Sequence, residues 1–149
     1  MTTPSLDHTD AMFRRRNPVS GEARDDVVAI TLPARLDRLR LLRLVAAEVA
    51  VGADFGVDDI EDLRAGVDEL SSLLFVAARP GSVARVRFTT TTGSVAFRAT
   101  VARRPGASIE PDEVARLVLD AVTDGYATEA SADELQVELV RRRRPGAAS

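Results

Sequence analysis

With 149 residues, 45% of them hydrophobic, and a formal net charge of -3, the chain can bury one sizeable core but not two comfortable ones. It contains no cysteine, which excludes disulfides and thiolate metal sites, and its acidic balance gives no general case for nucleic-acid binding. No apolar run approaches the roughly 18 to 20 residues of a membrane span, and no positive-then-apolar leader pattern opens the chain, so a cytoplasmic protein without membrane contact is expected.

Residues 1–26 are polar and irregular, with Pro4 and Pro18, and read as a flexible N-terminal arm in which Arg14, Arg15 and Arg16 could touch an acidic partner, with solvated charge as the simpler expectation. Val27 to Leu32 alternates, with Val28, Ile30 and Leu32 on one face, and predicts a strand that Pro33 ends. Asp37 is placed to N-cap a helix whose stripe is Leu39, Leu42, Val45 and Val49, ending near Gly52 or Gly56. Leu36, Leu41 and Leu44 widen its apolar surface, to pack on the core as the simpler expectation or on a second subunit.

The organising stretch is Val57 to Ala78. Val57, Ile60, Leu63, Val67, Leu70, Leu74 and Ala78 recur at steps of three and four, which predicts one long amphipathic helix. Asp58, Asp59, Glu61 and Asp62 load its first turns with the negative charge that a helix N-terminus favours. A second stripe carries Asp62, Gly66, Glu69 and Leu73, each about one turn from the next.

Arg79-Pro80-Gly81 then makes a turn, and Ala84, Val86 and Phe88 alternate against Arg85 and Arg87. Thr92-Gly93 reverses the chain, and Val95, Phe97, Ala99 and Val101 continue the apolar face of a hairpin whose other face carries Arg85, Arg87 and Arg98. Pro111, Asp112 and Glu113 open a third helix with Val114, Leu117, Val118, Ala121 and Val122 as its buried side and Gly125 at its end. Leu135, Val137 and Leu139 form a last strand, and from Arg141 the sequence becomes a charged, then small-residue tail. The order predicts an α+β two-layer sandwich, a mixed, mostly antiparallel sheet with helices on one face. The domain is expected over residues 27–142, with 143–149 as a flexible tail.

Little catalytic chemistry is on offer. The only histidine is His8, in the arm, and no GxG pair or phosphate-binding glycine loop occurs, so carboxylates remain. Glu69 is the one whose helix position suggests a pocket, although a general base needs a positioned partner and none is evident.

At this point Asp62 to Leu74, DLRAGVDELSSLL, resembles the signature helix of the RsbW and SpoIIAB type of anti-sigma factor, serine-protein kinases of the GHKL ATPase fold. That helix typically reads D-L-x-x-A-V-x-E-x-x-x-N; Asp62, Leu63, Val67 and Glu69 match, and Gly66 stands where alanine is usual. Ile30 to Arg43 is similar to the family's first strand and helix, and the later elements follow in the expected order. Three departures stand out. The family's magnesium-holding asparagine falls on Leu73, which offers no oxygen to a hard cation. The D-x-G-x-G box is replaced by Val101 to Ser108, and the next glycine box is replaced by ordinary helix from Pro111 to Val122.

The resemblance implies a regulator that binds a sigma factor or an anti-anti-sigma antagonist as a homodimer, with Leu36, Leu41 and Leu44 at an interface, no cofactor, and no direct nucleic-acid contact. The alternative it implies is an active kinase using Mg-ATP, with Glu69 as catalytic base. A third reading is an interaction module without a sigma partner.

Overall fold

The computed structural model describes residues 26–145. His8 and Arg14–Arg16 of the expected arm, and residues 146–149 of the expected tail, lie outside the described residues. The elements run β1 (Asp26–Pro33), a 3-10 turn (Leu36–Arg38), α1 (Leu39–Gly52), α2 (Val57–Val76), β2 (Val83–Thr91), β3 (Ser94–Ala102), α3 (Glu113–Val122), β4 (Gly125–Ala130) and β5 (Glu134–Arg142).

The five strands form one sheet in the order β1-β2-β3-β5-β4, and every neighbouring pair is antiparallel. The expected mixed sheet is thereby corrected. The crossover through α3 joins β3 to β4, but β5 folds back between them, so the two strands that run the same way never pair. The strand β4 was not expected from the sequence. Its inward residues, Tyr126 and Thr128 opposite Leu139 and Val137, make too short an alternation to signal a strand.

Strand periodicity divides the sheet into two faces. One contributes Ala84, Val86, Phe88, Val95, Phe97, Ala99, Val101, Leu135, Val137 and Leu139 to a single core, which it shares with residues of all three helices. Phe88 and Phe97 sit opposite each other in register with ring centroids 5.2 Å apart and planes tilted by 44°. The hairpin between them closes on Thr92-Gly93, where Gly93 takes φ 71°, a left-handed value that costs glycine no steric penalty.

α2 lies across the core with Leu63, Val67, Leu70 and Leu74 fully buried. Its stripe begins two positions after the expected one. Val57, the first residue of the helix, is 75% exposed, and the buried residue of the first turn is Asp59. α1 packs beside α2 through Leu42, Ala46 and Ala50, and Arg43 donates to Asp68 across the pair at 2.6 Å.

Asp37 does not cap α1; its carboxylate accepts from Arg35 at 3.1 Å, and the 3-10 turn leads into the helix without a side-chain cap. Leu36, Leu41 and Leu44 are 53%, 44% and 68% exposed, so the core-packing expectation for them is corrected and they stand outward. α3 is rotated against the expected face: Ala115 and Leu119 are buried, whereas Val114 and Leu117 are exposed, because the helix covers only the α2 flank and β4 at the margin of the sheet. Among the described residues, no helix is long and apolar enough to cross a membrane.

Candidate functional site

A nucleotide site of the kind the resemblance implies would need the second stripe of α2, the loop after β3 and the start of α3 to face a common space. In the structure each of these three regions is engaged in contacts of its own.

On the α2 flank, Gly66 is buried where the helix meets the end of α3 and strand β5. A Cβ at this position would lie 3.0 Å from Leu139 Cδ2 and 3.0 Å from Thr123 Cγ2, so a larger residue fits only if those side chains give by a few tenths of an ångström. Leu73, one turn beyond Glu69, packs partly buried against the core, and its side chain has no oxygen to offer a magnesium ion. Glu69 is half-buried and, among the described residues, has no hydrogen-bond or ion-pair partner to orient it. A carboxylate without a positioned partner is poorly suited to act as a base.

The loop after β3 is pinned to its surroundings. Arg103 donates through Nε to the Ala107 carbonyl at 2.9 Å and through Nη1 to the Ser131 carbonyl at 2.6 Å, and the Arg103 amide donates to the Asp133 carbonyl at 2.8 Å. The Arg104 amide donates to the Ala77 carbonyl at 3.0 Å, tying the same loop to the end of α2. These donors are spent on carbonyls and fix the loop in place.

α3 begins with an aspartate cap in place of an open anion site. Asp112 Oδ1 accepts from the Ala115 amide at 2.8 Å, and Glu113 adds a second carboxylate in the first turn. Negative side chains at a helix N-terminus satisfy the amides and the dipole that a phosphate would otherwise use. Mg-ATP placed as the resemblance implies would meet Leu73 and the Asp112 cap in these positions.

The sequence reading missed a buried ionic cluster. Asp59, fully buried, accepts from Arg141 Nη2 at 2.7 Å and from the Arg144 amide at 2.9 Å. Arg144 Nη2 also donates to Asp62 at 2.8 Å, so two carboxylates face two guanidiniums. Arg141, expected to open the tail, instead belongs to β5 and is 4% exposed. Burial pushes the Asp59 carboxyl up, but the Arg144 amide and the Arg141 and Arg144 guanidiniums outweigh it and hold the group below its ordinary value. The cluster clamps the first turn of α2 to the end of the sheet.

Arg85, Arg87 and Arg98 lie together on the sheet face away from the helices, as expected. Compared with family models and with curated proteins, the chain matches none.

Proposed function

We propose that this chain is a non-catalytic regulator of the anti-sigma type, which acts by holding a sigma factor or an anti-anti-sigma antagonist through protein contacts. The observation that carries the reading is Leu73: one turn beyond Glu69 on α2, where the family it resembles has its magnesium-holding asparagine, the side chain packs partly buried against the core and offers no oxygen. The class of partner rests on the resemblance of Asp62 to Leu74, and the loss of ATP use rests on Leu73, the pinned loop and the Asp112 cap. A scaffold that keeps its core while its phosphate-binding parts are closed retains its surface as the means of action. In this reading the protein works in the cytoplasm as a homodimer.

That surface includes Leu36, Leu41 and Leu44, aliphatic side chains on the outside of the 3-10 turn and α1. Exposed apolar side chains grouped on adjoining elements mark a contact surface more often than scattered ones do. The test is size-exclusion chromatography of the purified chain, alone and with the sigma factors and antagonist proteins of its host. We expect a dimer and a complex with one of these partners. Leu44→Glu, at a position 68% exposed, should weaken the affected contact at least about tenfold while leaving the fold intact. A chain that is monomeric and binds none of those proteins would overturn the proposal.

A further inference from the structure

The sheet has a second face on which no described helix lies. Side chains left over from the core line up across it in rows, Ala29–Arg87–Arg98–Glu138 and Thr31–Arg85–Thr100–Gln136. Arg87 stands directly opposite Arg98, and like charges in that position destabilise a strand pair. Arg98 pairs with Glu138 at 3.8 Å on its other side, and Arg85 reaches Glu134 at 3.3 Å. Arg87 is exposed and has no hydrogen bond or ion pair among the described residues.

Solvent-facing charges on a one-sided sheet are stable when the signs alternate. Here they segregate. The arginines share the β2–β3 half, and Glu129, Glu134 and Glu138 all sit on β4 and β5. Beside Arg87 lies a depression of about 310 Å³ whose lining includes Ala29, Thr31, Arg85, Arg87, Arg98 and Thr100. Guanidinium forks and hydroxyl groups around one hollow supply the donors that phosphoryl and carboxylate oxygens accept from. The volume lies at the small end of ligand sites, which span about 300 to 1,000 Å³.

We propose that this depression binds a small oxyanionic ligand, carrying a phosphoryl or carboxylate group, which Arg85 and Arg87 grip and which relieves the Arg87–Arg98 opposition. Thr31 supplies a hydroxyl donor at its side. The site is on the far side of the sheet from α2, so it stands independently of the regulatory reading above, and either can fail alone.

The test is calorimetric titration of the full chain with pyrophosphate and, separately, with citrate, at constant ionic strength set by chloride. Binding of either anion is expected, and the stronger one tells the phosphoryl source from the carboxylate source. Arg87→Gln, at an exposed position outside the core, should weaken that binding by about tenfold or more. Arg40→Gln, an exposed arginine on α1, should leave it unchanged. No binding of either anion at millimolar concentration, equal binding by Arg87→Gln and the unaltered chain, or equal weakening by both substitutions would overturn the proposal.

Discussion

Arg141→Ala is expected to destabilise the fold by about 3 to 5 kcal/mol, the range for breaking a buried ion pair from one side. The guanidinium is 4% exposed and meets the fully buried Asp59 at 2.7 Å, so its removal leaves a carboxylate facing the core with only Arg144 to answer it. Arg144→Ala, by contrast, removes a side chain that is 47% exposed and should cost under about 1 kcal/mol, because the amide bond to Asp59 stays. Urea denaturation of both variants checks the difference.

The same cluster sets a pH dependence. Asp59 has a folded pKa held below its ordinary value of 3.8, so the unfolded state binds the proton more readily. Its contribution to stability is full above that value and is lost as pH falls through the lower, folded one. Stability of the unaltered chain should therefore decline below about pH 4, and that part of the decline should be smaller in Arg141→Ala.

Phe97→Ala is the second large effect, with an expected cost of about 3 to 5 kcal/mol. Phe97 is fully buried on β3, the middle strand of the sheet, and faces Phe88 at a centroid distance of 5.2 Å. Its removal opens a cavity under α2 and also ends the ring contact. Against a typical total of about 5 to 15 kcal/mol, such a variant would approach the unfolding threshold at ambient temperature. Phe97→Leu keeps most of the volume and should cost distinctly less, as thermal melts of the two variants would show.

The elements that the sequence announced are those whose periodicity is long and unmixed. The Leu63–Val67–Leu70–Leu74 stripe and the Phe88/Phe97 hairpin were legible because each repeats its apolar step at least three times and ends in a turn residue. The strand β4 was hidden because its inward side chains are a tyrosine, a threonine and an alanine, and because Gly125 serves equally well as a helix stop. α3 was misoriented because apolar residues surround much of its circumference, so periodicity alone did not choose between Val114 and Ala115.

The ionic cluster had a signal that charge obscured. Arg141 continues the inward step of Leu135, Val137 and Leu139, and Asp59 stands four residues before Leu63 on the core stripe of α2. Two opposite charges on two buried stripes are each other's natural partners. Of the candidate site, the leucine at position 73 and the missing glycine boxes could be read directly. That Gly66 packs against Leu139 and Thr123 could not, because the contact joins positions far apart in the chain.

The most direct measurement is calorimetric titration of the purified full chain with ATP and with ADP in the presence of magnesium. Leu73 in place of an oxygen ligand on α2, a pinned loop after β3 and a carboxylate-capped α3 predict no binding up to millimolar nucleotide. Micromolar binding that Glu69→Ala alters would contradict the account and restore an active kinase in its place.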